Sequence, residues 1–512
     1  RSERSEIHER REWREWREWR GETNAEESKI TTTYFLTQIY NNMVEAIANS
    51  VEDRLIDGLT FKLAKGASYI ADRRSVTFHP QGSNVYTTNS GTRLIKINLT
   101  GNGWMDPSQI KMMFNLQNDD ATTGKRLRPI SGPHSFFRRL RVLCGGQVVE
   151  DIDNYNRAHE MMNNLIATDS RLNDDGEAFG SRYSTHGWTS GANASVNVDN
   201  LKGIGHGESQ TVLFKPLSGL LLQSKYLPIQ YMPVVLELEL VDKATDCIVS
   251  NLAAPSAAPA NDKFFSTDNT STTWSINQVQ IKCDIVTLEG GLDNQYAQHL
   301  QEGKSLPINY NTFVSQMQTV QGQEKPSVNV TRALTRLKSV FVTLDKDLEG
   351  TNATAPRSAF VGRKAFNDFF SPMHVNNSSG TVEHVSGGEF EFHVQIGSKL
   401  YPEYPIRSHS EAFYQLQKTL GIQSSNVHSF DVSPAEHRDN KMVLAIDTEK
   451  MLEAGFTGLN TRSGDLMTVK LSYNDKGVQA NNVWSRLADR MHIVLHSDQI
   501  LEVRATGVQI MD

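Results

Sequence analysis

The side chains best suited to chemistry here are histidines, cysteines and a group of arginines, and their spacing decides what that chemistry would be. His492 and His496 stand four apart, the interval at which a helix offers two imidazoles to one zinc ion. The surrounding "RMHIVLHSDQILEV" reads instead as a strand, along which four residues cover about 13 Å. No glutamate fills the HExxH position, so the two do not chelate one metal as neighbours. His79, His134, His159 and His186 are scattered, unlike the clustered ligands of a cupin-type enzyme. "GIGHG" at 203–207 lacks the preceding strand and following helix of a phosphate loop and reads as a turn. No G-x-S-x-G elbow, Walker sequence or recognisable Cys–His pairing occurs. Cys144, Cys247 and Cys283 are odd in number and far apart, which argues against a disulfide framework or a CxxC zinc site and fits a reducing compartment. The expectation is a protein that is not an enzyme, with no cofactor and no metal.

Arg126, Arg128, Arg138, Arg139 and Arg141 form the one basic cluster that asks for a partner. It could meet nucleic-acid phosphates or acidic residues of an adjoining subunit, or it could be a solvated strand face plus a loop. Aromatic residues are not interleaved there, which argues against reading of single strands or RNA. A net charge of −7 argues against a surface wholly wrapped by nucleic acid. A second candidate contact is the opening "RSERSEIHERREWREWREWR", whose Trp13, Trp16 and Trp19 would share one side of a helix. Such an arm has no core of its own and would order only against a neighbour.

The arginines sit in the stretch 135–167, "SFFRRLRVLCGGQVVEDIDNYNRAHEMMNNLIA". Leu140, Val142 and Cys144 alternate with arginines at one end, Gly145-Gly146 turns the chain and Val148-Val149 starts a return strand, which predicts a hairpin. A helix follows, with Asp153 as its expected N-cap and Tyr155, Ala158, Met162 and Leu165 on one face. Upstream, Phe35, Ile39, Met43, Ile47, Val51 and Leu55 predict an amphipathic helix over 31–57 with an acidic polar face, better suited to protein than to an anionic membrane.

The rest is rich in strands. Alternation picks out Ile95/Ile97/Leu99, Ile110 to Leu116, Leu236/Leu238/Leu240 and Val279 to Ile285. After a helical link, "GGLDNQYAQHLQEG", the same order of parts returns: Val340/Val342/Leu344, then Phe390 to Ile396, a helix in "SHSEAFYQLQKTLG" capped by Ser408 or Ser410, and three closing strands. Two polar passages, 169–206 and 251–275, read as long surface loops. The fold class is therefore all-β: two consecutive antiparallel jelly-roll sandwiches with short helices in the connections and an N-terminal helical arm. The expected divisions are 1–60 for the arm and amphipathic helix, 61–290 for the first jelly roll, 291–304 for the linker and 305–512 for the second.

The 135–167 stretch, "FKPLSGLLLQSKYLPIQYMPVVLELELVD" and "RMHIVLHSDQILEVRATGVQIMD", in that order, resemble double jelly-roll major capsid proteins of small double-stranded DNA viruses: Polinton-like viruses, adintoviruses and the virophage-related lineage. The similarity runs from about Ser75 onward. It implies a homotrimer that forms a pseudo-hexagonal tile of an icosahedral shell. It further implies neighbouring capsomers and minor capsid and penton proteins as partners, and a place in the virion after synthesis in the host's cytoplasm or nucleus. The two long loops would then lie at the outward tip or along trimer contacts, and the arm at the base, in non-specific contact with packaged DNA or an internal membrane. The alternative is a carbohydrate- or ligand-binding jelly roll. That needs clustered aromatics on a concave face, whereas three of the seven tryptophans sit in the arm.

Overall fold

The computed structural model describes residues 70–88, 93–127, 129, 131–165, 203–248, 271–321, 323–345, 369, 371, 390–422, 432–439, 441–449, 458–462, 466–473 and 488–511. The chain divides into Arg1–Ser68 and Tyr69–Asp512, and every described residue belongs to the second unit. Trp13, Trp16, Trp19, the 31–57 helix, Arg128, His186 and most of the 169–206 and 251–275 passages lie outside the described residues.

The first lobe comprises β1 (Ile70–Phe78), β2 (Val85–Tyr86), β3 (Leu94–Leu99), β4 (Trp104–Asn118), β5 (Phe137–Cys144) and β6 (Gln147–Ile152). Helix α1 (Tyr155–Asn164), β7 (Ser209–Phe214), the single turn α2 (Gly219–Leu222), β8 (Val234–Leu240) and β9 (Trp274–Leu288) complete it. Helix α3 (Gly290–Gln301) leads to β10 (Leu306–Thr319), β11 (Ser327–Val330), β12 (Leu337–Asp345), β13 (Phe390–Ile396) and β14 (Lys399–Ile406). Helices α4 (His409–Thr419) and α5 (Pro434–Asp439) precede β15 (Val443–Asp447), β16 (Met467–Tyr473), β17 (Arg490–Arg504) and β18 (Gly507–Met511).

Four antiparallel sheets result. The first lobe pairs β1-β9-β4-β7 and β3-β8-β5-β6; the second pairs β10-β17-β12-β15 and β11-β16-β13-β14. Leaving aside the additions β2 on β9 and β18 on β17, and numbering the strands of each lobe one to eight, both lobes have the orders 1-8-3-6 and 2-7-4-5. That is the jelly-roll winding, carried out twice. In both lobes the helix follows the fifth strand, as α1 after β6 and as α4 after β14.

The alternating residues form these strands because every second side chain turns to one face, and burying that face is what drives the sheets together. Ile95, Ile97, Leu99, Ile110, Met112, Phe114, Leu116, Leu236, Leu238 and Leu240 are fully buried, and Cys283 is a small buried residue among them. The β5–β6 hairpin turns on Gly145 and Gly146, both at positive φ (55° and 86°), a conformation that a Cβ disfavours.

Three expectations need correction. Helix α1 is preceded by Asn154 in the left-handed region (φ 47°, ψ 41°) with no side-chain cap, so Asp153 is not the N-cap. Asn tolerates that conformation because its short polar side chain relieves the steric cost. The buried apolar face of α1 is Tyr155, Ala158 and Met161, while Met162 and Leu165 are only half-buried. The chain also closes with four strands after α4 rather than three, because β18 folds back on β17. For α4 the choice falls on Ser408, whose hydroxyl accepts from Glu411 N at 3.1 Å, and the helix ends at Gly421 (φ 69°).

One apolar core fills the second lobe between its sheets. The other core fills the first lobe and continues through Ile308, Tyr310, Phe341, Val494, Leu501 and Val503 of the second. The β10-β17-β12-β15 sheet is therefore covered on both faces, and β12 is buried at every position but Lys338.

Candidate assembly surfaces

The arginines of β5 lie on the outward face of the β3-β8-β5-β6 sheet. Strand register places Lys96, Glu237, Arg141 and Asp151 side by side, one from each strand, as a row of alternating charge. Lys96 and Arg141 each approach Glu237 at 3.3 Å, and Arg139 grips both carboxylate oxygens of Asp151 at 2.7 Å. Arg138 reaches Asp242 at 3.1 Å, which Arg93 also binds. An open depression of about 340 Å³ among these residues is bounded by Arg93, Leu94, Arg139, Arg141, Glu237 and Glu239. Because each of these arginines already faces a carboxylate, a phosphate would have to displace it, which costs much of what an unpaired arginine would gain. Arg126 stands apart, exposed on the β4–β5 connection, its carbonyl accepting from Ser271 N at 3.0 Å. The structure thus brings Arg138, Arg139 and Arg141 together, as members of an ion-pair lattice.

The more elaborate polar site lies at the seam between the lobes. Glu150, fully buried on β6, accepts from Ser218 Oγ and from the backbone N–H groups of Gly219 (2.8 Å) and Leu220 (3.4 Å) at the start of α2. Burial pushes its carboxyl up, and these donors together with Thr312 of β10 oppose that shift. Gly219 is required here, since a Cβ would stand 1.2 Å from Asn311 O of β10. Tyr310 of β10 donates to Gln499 Oε1 at 2.6 Å, with Val149 O of β6 3.4 Å from the same hydroxyl.

Helix α1 makes the second seam contact. Arg157 donates to Leu344 O at 2.8 Å and lies 4.8 Å over the Phe369 ring. Beside it Asp345 is held at 3.4 Å from His492 and 3.9 Å from Arg490. Burial alone would raise the Asp345 carboxyl, but His492, Arg157 and Arg490 hold it below its ordinary value. Burial, then Arg157, pushes the His492 imidazole down, so the pair is carboxylate and neutral imidazole.

His134, His159 and His496 are packing residues. His134 bonds Glu160 at 2.8 Å, Glu160 also receives the Ser131 hydroxyl, and His159 stacks on Tyr155 and meets the His134 ring edge-on. His496 stacks on Phe313 and meets Ser339 at 3.3 Å, well separated in role from His492. Cys144, Cys247 and Cys283 are free thiols, all buried, and burial pushes Cys283 up to about 12. Among the described residues no group of three His, Cys, Asp or Glu side chains is gathered to hold a metal, and no helix is long and apolar enough to cross a membrane.

Sequence reasoning missed the seam. The available signals were charges on the apolar side of a short helix (Arg157, Glu160) and a Ser-Gly pair opening the apolar "GLLL" turn.

Strand order and the seam define the class of fold: a double jelly roll whose halves share a core. Solved structures give the same architecture. PBCV-1 VP54, as fitted into a reconstruction of the virophage Sputnik, aligns with a TM-score of 0.55 at 12% identity, over 88% of this chain and 100% of that one. A chain of the PBCV-1 virus capsid model aligns at 0.52 and 12% identity, again over 88% and 100%. A chain of the Sputnik virophage particle aligns at 0.51 and 10% identity, over 88% and 90%. At such identities the likeness is one of fold. No family model matches the chain, and no curated protein matches it.

Proposed function

We propose that this protein is a major capsid protein: a homotrimer whose six jelly rolls form a pseudo-hexagonal tile of an icosahedral double-stranded DNA virus shell, in the Polinton-like, adintovirus and virophage-related group. The observation that carries the reading is the exact repetition of one eight-strand winding in two lobes fused through a common core. Two equivalent lobes per chain make three chains six near-equivalent lobes, which is what a hexagonal lattice position needs. The fold likeness to chains of the PBCV-1 capsid and of the Sputnik particle supports it.

The role is structural rather than enzymatic. Its partners are further capsomers, with minor capsid and penton proteins, in the virion. Three buried free thiols suit synthesis in a reducing cytoplasm or nucleus. Contact with genome or internal membrane falls to the 1–60 arm, with Trp13, Trp16 and Trp19, rather than to Arg138, Arg139 and Arg141, whose charge is matched by carboxylates. Light scattering after size exclusion tests the reading: a species of three 57.4-kDa chains, with shells by electron microscopy at high concentration, is expected. A monomer that binds a sugar would overturn it.

A further inference from the structure

The seam inside the chain joins the fifth strand of the first lobe, β6, to the first strand of the second, β10. The counterparts of those two surfaces, β14 and β1, are both exposed. Val314 of β10 packs against the second core, and Ile308, Tyr310 and Thr312 beyond it are buried against the first lobe. Strand β1 runs outward in the same way: Val76 and Phe78 pack on the first core, but 70–75 is exposed, Ile70 at 42%.

The fifth strands differ at two places: β6 has a bulge at Val149 close to its turn, which β14 lacks, and the larger difference lies farther along. In the first lobe Val142 pairs with Glu150 and Leu140 with Ile152, and the single residue between, Asp151, pairs with Arg141. In the second, Val394 pairs with Tyr401 and Phe392 with Ile406, leaving the four residues Pro402, Glu403, Tyr404 and Pro405. These must leave the ladder as a protrusion. Tyr404 is 78% exposed there, the most exposed large apolar side chain among the described residues, with Leu400 nearby at 38%. The prolines give this edge fewer N–H donors, so it is unsuited to adding a strand and suited to presenting a side chain.

We propose that the Tyr404 protrusion and Leu400 of one copy seat on the outward half of β1, residues 70–75, of a second copy. This repeats between chains the join that β6 and β10 make within one. The contact is heterologous, and a ring results when it closes. Tyrosine is a frequent anchor of such contacts, because it buries a large area with little loss of side-chain freedom. This inference rests on the shell-building reading and adds to it the surfaces through which the copies meet.

The test uses the full chain with a benzoylphenylalanine photo-cross-linker in place of Tyr404, and separately Tyr404→Arg. Expected are adducts between chains that map to peptides containing 70–75, and association weakened about tenfold or more by Tyr404→Arg. An unchanged far-ultraviolet spectrum and melting of the unassociated chain would show that the lobes are intact. Adducts confined to one chain or mapping to the partner's second lobe, or association indifferent to Tyr404→Arg, would overturn the inference and leave the capsid reading standing. A wild-type chain that never associates would overturn both.

Discussion

The two lobes wind identically yet are buried differently. In the first, the β1-β9-β4-β7 sheet turns a polar outer face to its surroundings, with Lys111, Asn115, Gln117, Gln280 and Lys282 partly exposed. In the second, the corresponding sheet is covered by the first lobe, and Phe341, Val494, Leu501 and Val503 take up the covered side. Topology is thus set by the alternation of the inward faces, which both lobes share. The outward faces are free to diverge, and in them each lobe records what it meets. A duplicated fold with negligible sequence identity between halves is what this division allows.

The comparison breaks most visibly in the cores. Phe114→Ala in the first and Phe392→Ala in the second each remove a fully buried ring at a cost of about 4 kcal/mol. Because the first core continues into the second lobe, both substitutions are expected to shift one cooperative unfolding transition. Denaturant titration followed by fluorescence and far-ultraviolet signals checks this, and two separate transitions would mean that the lobes are independent.

The seam comes next. Gly219→Ala forces a methyl against the β10 backbone, an overpacking expected to cost on the order of 3 kcal/mol. Glu150→Ala leaves the Gly219 and Leu220 amides without their acceptor, for about 2 kcal/mol. Both should loosen the lobes from each other before either lobe melts, which hydrogen exchange of β10 against β13 would reveal.

Much of the framework was legible in the sequence, and the boundary is physical. Leu140/Val142/Cys144, Leu236/Leu238/Leu240 and Phe390/Phe392/Val394 could be read because a period of two reports a half-buried strand directly. Strand β12 gave only half its information, since Phe341 and Thr343 are buried as well as Val340 and Val342, and a strand covered on both faces loses its alternation. The candidate site was less legible. The arginines of β5 could be picked out, but of their partners only Asp151 lies in the same hairpin; Glu237 and Asp242 lie about a hundred residues away and are brought there by the pairing of β5 with β8. Tyr404 gave no periodic signal at all, because it lies outside the ladder.

Acid should act unevenly on the two lobes. Among the described residues His393, His437, His492 and His496 of the second lobe and His159 of the first are pushed down by burial, His437 to about 4. His437 lies between His409 at 2.8 Å and Val443 O at 2.9 Å. A depressed imidazole is protonated more readily in the unfolded chain. Its contribution to stability is whole above about pH 6.5 and is lost as pH falls through about 4, amounting to about 3 kcal/mol at most for His437. Carboxylates held low, such as Asp345, act only below their ordinary value of 3.8, so the windows separate. The buried Glu150 of the first lobe, pushed up from 4.5, works the other way in this window, its contribution being lost as pH rises. The check is therefore a difference: from pH 7 to 4.5 the wild type should lose more stability than His437→Gln, whereas equal changes would assign the acid sensitivity elsewhere.

The smallest effect expected concerns the arginines themselves. On the outer face of the first lobe the Lys96–Glu237–Arg141–Asp151 row is ionic, whereas the matching sheet of the second lobe carries Asn329 bonded to Thr468 at 3.0 Å and Lys470 bonded to the Gln395 amide oxygen at 2.6 Å. Arg141 is about a third exposed, so solvent screens its pair with Glu237, and Lys96 remains to compensate when it is removed. Arg141→Ala should therefore cost about 1 kcal/mol or less, and the loss should shrink further in molar salt. Thr468→Val, which breaks a neutral pair, should show no such salt dependence. If Arg139→Ala with Arg141→Ala lowered the chain's retention of DNA on a filter, with a reduced salt slope, the arginines would be phosphate ligands after all and the carboxylates opposite them only their resting partners.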